Sequence, residues 1–227
     1  MTTVIVSYDG TDNDRDALAL GRVLAGAGAS LELAYVRHAE EAESGRERLA
    51  EDEAKALLRV GAASIGLPDA PQHVVLSGST AEGLRDLAAE RDAAVVVFGS
   101  EYRTARGHLD PQPTARRLLD GGPVALALAP AGFSERTGQP VKAIAALSDD
   151  GDPCARETAE SLAGPLGATV EERASRGAGL LVVGSTPGTV TGRVRISAAA
   201  EYLIELADSP VLVLPRGVSV VLERGLG

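Results

Sequence analysis

The chain has 227 residues, a net charge of −10 from 22 Lys and Arg against 32 Asp and Glu, and one cysteine. That balance speaks against a nucleic-acid surface, which needs clustered cations to displace counterions, and a lone cysteine excludes an internal disulfide or a multi-cysteine metal site. No apolar run approaches the roughly 20 residues of a membrane span, so neither nucleic acid nor membrane is an expected partner.

The first apolar run, residues 4–6, ends in the acidic turn Asp9-Gly10-Thr11. No leader segment is expected before it, which makes the cytoplasm the expected compartment. Residues 14–25 place Ala17, Leu18, Leu20, Gly21 and Leu24 along one side of a helix, with Asp12 and Asp14 available as caps and as anions at its start. A strand at 31–36 follows, then a long charged helix over 40–65, whose acidic stretch reads as a solvated face. A strand at 72–76, a helix at 82–91 capped by the Gly78-Ser79-Thr80 turn, a strand at 95–98 and a short helix at 114–119 complete the first pattern. Its strands are continuous apolar runs, as burial on both faces requires, and strict alternation implies parallel neighbours joined by crossovers. The fold class is therefore α/β, doubly wound on a parallel sheet.

The pattern then repeats. Ile144 to Gly151 restates the opening strand and acidic turn, Leu180 to Ser185 restates Val95 to Ser100, and Pro210 to Leu214 restates Pro123 to Leu128. The spacing from acidic turn to Gly-Ser is about 55 residues shorter in the second copy. A Pro- and Gly-rich stretch between the copies marks a boundary. The expected organisation is a complete domain at 1–133, a linker at 134–141, a truncated second copy at 142–217 and a tail at 218–227. The second copy comprises strands at 141–147, 168–170, 180–183 and 211–214 with helices at 155–166 and 196–207. It lacks one strand and most of two helices, and it is expected to dock on the first through buried apolar surface. The last strands of the two copies are expected to pair edge to edge, and residues 218–222 to add a further strand.

His38, His73 and His108 are scattered and expected on solvated surface, so no metal site is expected. Cys154, near a helix start, reads as a buried thiol before a redox group. Gly26-Ala-Gly28 follows a helix and precedes a strand, the reverse of a dinucleotide-binding context, and is a loop. Neither a nucleophile elbow nor a phosphate loop with its lysine occurs, so no catalytic residue is nominated.

These segments, in this order, resemble the universal stress protein family in its tandem two-domain form. The resemblance rests on the strand closing on Asp9-Gly10-Thr11, on Leu33 to Val36, on the Val97-Phe-Gly99-Ser100 turn and on Arg116 to Val124 with Ala129-Pro130. In the second copy it rests on Val183-Gly184-Ser185, Ala200 to Leu203 and Ser209 to Gly217. It implies a five-stranded sheet of order 3-2-1-4-5 in the complete copy, and an intramolecular pseudo-dimer.

ATP-binding members of that family share a loop after the fourth strand: G-x-x-G, nine residues, then G-S or G-T. Glycines there let backbone approach phosphate, and amides with a hydroxyl supply donors. In the first copy Gly99 and Ser100 are present, but Thr104 stands near the second glycine and Gln112-Pro113 replaces the final pair. In the second, Gly184 and Gly188 are present with one residue inserted relative to that pattern, Ser197-Ala198 ends the loop, and Arg193 and Arg195 add charge. The resemblance places a base pocket at Asp9, Gly10, Thr11 and Val36 of the first copy; the matching strand of the second is shortened. Asp9 also reads as a turn cap without a ligand.

The expected function is a non-enzymatic stress-response protein acting through protein partners, with ATP or AMP as the candidate ligand. A weak ATP hydrolase of the same architecture and a purely structural pseudo-dimer, which a homodimer in solution would favour, are the alternatives.

Overall fold

The computed structural model describes residues 1–38, 47–136, 138–172 and 179–222. Strands β1 (Thr3–Ser7), β2 (Ser30–His38), β3 (Gln72–Ser77), β4 (Ala93–Phe98) and β5 (Ala125–Leu128) alternate with helices α1 (Asp14–Gly26), α2 (Glu47–Ser64), α3 (Thr80–Glu90) and α4 (Pro113–Leu119). After a 3-10 turn at Phe133–Arg136 come β6 (Ala143–Leu147), α5 (Cys154–Leu166), β7 (Thr169–Glu171), β8 (Leu180–Val183), α6 (Ala198–Glu205) and β9 (Val211–Val213). The part of the expected long helix at 39–46 lies outside the described residues.

All the described strands form one sheet of order β3-β2-β1-β4-β5-β9-β8-β6-β7. The first five reproduce the expected parallel 3-2-1-4-5 order, and the remaining four are the shortened copy. The halves join at β5 and β9, which run antiparallel with Leu126 opposite Val213, Ala127 opposite Leu212 and Leu128 opposite Val211.

Burial follows strand periodicity. Val4, Val6, Leu31, Leu33, Val95 and Val97 face α1 and α2, and Ile144, Leu180 and Val182 continue that layer beneath α5. Ile5, Ala34, Val96, Phe98 and Leu126 face α3 and α4, with Leu181, Val183 and Val213 continuing under α6. Each layer runs across the joint, so the second half buries its sheet in a core shared with the first.

Three expectations change. The tail adds no strand: residues 218–222 carry no ladder and instead lie along α5, with the Val220 amide donating to Thr158 Oγ1 at 2.9 Å and the Leu222 amide to Ser161 Oγ at 2.8 Å. Val220 and Leu222 are buried, which a period-2 apolar pattern achieves against a helix as well as in a sheet. His73 is not a solvated residue but hydrogen-bonds buried Glu32 at 2.7 Å. Lastly, the likeness of Pro123-Val to Pro210-Val is two residues out of structural step. Val97 pairs with Ala127 and its counterpart Val182 with Leu212, so Ala127 matches Leu212. A slip of two keeps every side chain on its own face.

Candidate functional site

In an open parallel sheet, ligands bind beyond the carboxyl ends of the strands where the winding direction reverses. Each half has such a mouth, at β1/β4 in the first and β6/β8 in the second.

At the first mouth β1 runs out into Asp9-Gly10-Thr11. The carboxylate that organises this turn is Asp14, the first residue of α1: its Oδ2 accepts the Asp9 amide and, at 2.9 Å, the Gly10 amide. Asp14 is buried, and its pKa is pushed up to about 8, by desolvation first and then by the adjacent Asp9 carboxylate. Asp9 itself is exposed and accepts the Thr11 amide at 3.0 Å, the turn-cap role. Gly10 has φ +84°, and a Cβ there would lie 2.6 Å from Leu57 of α2. Burial, then the Asp14 charge, pushes the neighbouring Tyr8 phenol up.

Gly99 and Ser100 reach the same mouth through Asn13. The Asn13 carboxamide donates to Ser100 O at 2.8 Å, and a Cβ on Gly99 would sit 2.2 Å from the Asn13 carbonyl, so only glycine fits. Val36 points the other way, against Gly83 of α3, on the face opposite Leu57. A cavity of about 510 Å³ opens beside the turn between α1 and α2, lined by Tyr8, Gly10, Thr11, Arg15, Leu57 and Val60 among others.

The loops that leave the two mouths are the same structure. Ser100 Oγ donates to Ala129 O and Ser185 Oγ to Leu214 O, at 2.8 and 2.7 Å. Amides of Glu101, Thr104, Gly107 and His108 donate to the carbonyls of Asp110, Glu101, Ala131 and Ala105; those of Thr186, Thr189, Gly192 and Arg193 donate to Arg195, Thr186, Arg216 and Val190. Measured against each other, neither loop carries an insertion, and Thr104 stands where Thr189 stands. Both threonine hydroxyls are buried without a partner among the described residues. Four amides of each loop are therefore already engaged within the chain.

At the second mouth Cys154 opens α5 in the place of Asp14. It is buried, and desolvation pushes its thiol up, against a thiolate role. The organising group is Arg216, three residues past β9. It pairs with Asp150 at 2.7 Å and Asp152 at 3.3 Å and donates to Ser185 O at 3.4 Å. The pairing holds the Asp150 carboxyl below the usual range. Of the residues expected here, Gly184 lies at the mouth with its amide on Leu147 O, and Gly188 forms an exposed turn with φ +79°. Arg193 turns away to Gly121 O of the first half at 3.2 Å, and Ser197 caps α6 by accepting the Ala200 amide at 3.2 Å. The structure does not gather these four into one cradle.

Asp14, Asn13 and Arg216 were not singled out in the sequence as site residues. A carboxylate opening a helix and an arginine after Pro215 look like ordinary surface groups until the turns fold over them. Among the described residues no three His, Cys, Asp or Glu side chains gather as a metal site, and no helix is long and apolar enough to cross a membrane.

Comparison with known proteins gives three findings. The model of the universal stress protein family matches residues 1–130. No curated protein matches the chain. Among solved structures, a universal stress protein from Archaeoglobus fulgidus DSM 4304 superposes with a TM-score of 0.71 at 13% identity, covering 95% of this chain and 98% of that one. The functionally unknown protein PA1789 from Pseudomonas aeruginosa PAO1 superposes with a TM-score of 0.60 at 15% identity, covering 96% and 93%. At such identities the likeness is one of fold.

Proposed function

The chain belongs to the universal stress protein family, and on that premise we propose that it is a non-enzymatic stress-response protein acting through protein contacts. One observation carries the reading: at both mouths the protein's own groups hold the Gly-Ser turn and four of the loop amides. Asn13 donates to Ser100 O and Arg216 to the equivalent Ser185 O, while the loop amides bond within the chain. A phosphate that used those amides would have to displace bonds that are already made. At the second mouth the Cys154 thiol lies beside the Asp152 carboxylate, but burial pushes the thiol up, which speaks against its use as a nucleophile and supports a non-enzymatic role.

The second reading is that an adenine nucleotide, ATP or AMP, binds the first mouth. The cavity against Tyr8, Gly10 and Thr11 favours it. Isothermal titration of nucleotide-stripped protein with ATP and with AMP, each with Mg²⁺, separates the two. Contact-based action predicts no saturable heat up to millimolar ligand. Saturable binding abolished by Asp9→Ala would establish nucleotide sensing in the first half, and binding abolished by Arg193→Ala with Arg195→Ala would move it to the second.

A further inference from the structure

We infer that the seam between the two halves carries a binding site for a small organic dianion with a planar apolar body, held by Arg22, Arg136 and Lys142 over Phe133. The site adjoins the first-mouth cavity, with Ala19 and Arg22 lining both, but lies on the far side of α1 from Tyr8, Gly10 and Thr11 and does not rest on the reading above. Its cavity measures about 670 Å³, within the span of small-molecule sites, which favour the junctions between structural units. One wall is α1 and the 3-10 turn of the first half; the other is the start of β6 and the approach to β9 in the second.

Charge picks out the ligand. In a chain of net charge −10, three cations, from α1, the 3-10 turn and the residue before β6, line this cavity against one carboxylate, Asp208. That carboxylate accepts the Ser209 hydroxyl at 3.2 Å. Arg136 gives Nη1 to the Asp208 carbonyl at 2.8 Å, which fixes its guanidinium at the rim with other N–H groups to offer. Arg22 and Lys142 have no ion pair or side-chain hydrogen bond among the described residues, whereas Arg106, Arg116, Arg156 and Arg216 are all ion-paired. Cations of one sign above low-dielectric walls concentrate the field on an entering anion, and guanidinium groups grip phosphate or carboxylate oxygens two at a time. The floor is apolar: Phe133 is half-buried and Val141 is buried at 9% exposure. A planar ring packed there, with its charges toward Arg22, Arg136 and Lys142, uses both features. Phosphomonoesters and dicarboxylates share this chemistry.

Pyridoxal 5′-phosphate is a suitable probe, being a ring with a phosphate and an aldehyde. The neutral amine of Lys142 adds to the aldehyde carbon and water leaves as the imine forms. Borohydride then delivers hydride to the imine carbon and water protonates the nitrogen, leaving a stable secondary amine for peptide mass analysis. The chain contains two lysines, and Lys55, paired with Glu51 on α2, is the internal control. The expected result is saturable labelling of Lys142 at least tenfold above Lys55, reduced fivefold or more by Arg22→Gln and less by Arg136→Lys. Protection by AMP assigns the phosphate source and protection by citrate the carboxylate source. Because Arg22 is exposed and bonds nothing among the described residues, Arg22→Gln should leave the circular dichroism melt unchanged. Non-saturable labelling equal at both lysines, labelling indifferent to Arg22→Gln in a folded variant, or protection by neither competitor would each overturn the inference. Because Arg22 also lines the first-mouth cavity, the protection is repeated in Asp9→Ala: protection by AMP that persists there supports the seam site, and protection lost there places the phosphate in the mouth and overturns the inference.

Discussion

Asp14 and Arg37 are the two buried charges on which single substitutions tell most. The Asp14 carboxyl is raised from 3.8 to about 8. A carboxyl raised on folding adds stability that is complete below its unfolded value and lost as pH climbs through the folded one. Wild-type stability should therefore decline between about pH 4 and pH 8 by on the order of a few kcal/mol from this group. Asp14→Asn keeps an oxygen for the Asp9 and Gly10 amides and removes the ionisation, so its Tm should stay flat across that window and exceed wild type at pH 9; scanning calorimetry at four pH values checks this. Arg37 is 5% exposed, and its Nε and Nη2 find no partner among the described residues. A buried guanidinium with two nitrogens left unpaired by the described residues is a cost, so Arg37→Met should be neutral or raise stability by about 1 kcal/mol in urea denaturation. Neither effect could be read from the sequence, where an aspartate opening a helix and an arginine between Val36 and His38 are unremarkable; burial depends on what folds over them.

Between elements, Glu32 of β2 ties β3 to the end of α3. Arg91 holds it bidentately at 2.9 and 3.0 Å and His73 adds a third bond at 2.7 Å. Arg91 first, with His73 contributing, holds the Glu32 carboxyl below its ordinary 4.5 against the opposing effect of burial. A lowered carboxyl contributes stability present above its unfolded value and lost as pH falls through the folded one. Arg91→Ala should destabilise the fold at pH 7, and the deficit should shrink at pH 3; urea melts at both values test it. The elements themselves were plain in the sequence because apolar runs bounded by glycine and aspartate leave little choice: 95–98 and 180–183 read as buried strands and are. The loops after them were not. Their glycines fit the family pattern poorly, whereas what equates the two loops is Gly99, Thr104 and Gly107 against Gly184, Thr189 and Gly192, an equal spacing fixed by backbone bonds.

Over the whole molecule, the tail decides how the second half is finished. The truncated copy lacks the elements that would cover α5, and residues 216–222 cover part of it instead: Val220 and Leu222 enter the shared core, Ser219 Oγ donates to Glu157 at 2.5 Å and Thr2 Oγ1 of the first half donates to Val221 O at 2.6 Å. Ending the chain at Gly217 keeps Arg216 but removes two buried aliphatic side chains, so it should cost on the order of 3 kcal/mol and expose apolar surface to a fluorescent dye. A strand assignment for the tail failed for a definite reason: alternation reveals that one face is buried and is silent on whether a sheet or a helix buries it. The antiparallel joint of β5 and β9 has a mechanical consequence. Because the two halves run in opposite directions, their mouths lie at opposite ends of the sheet, and a pull between bodies attached there acts along the strands. The three facing residue pairs of the joint then bear that load in shear, their bonds sharing it and failing together, which makes this short antiparallel ladder the part that sets how much tension passes from one half to the other.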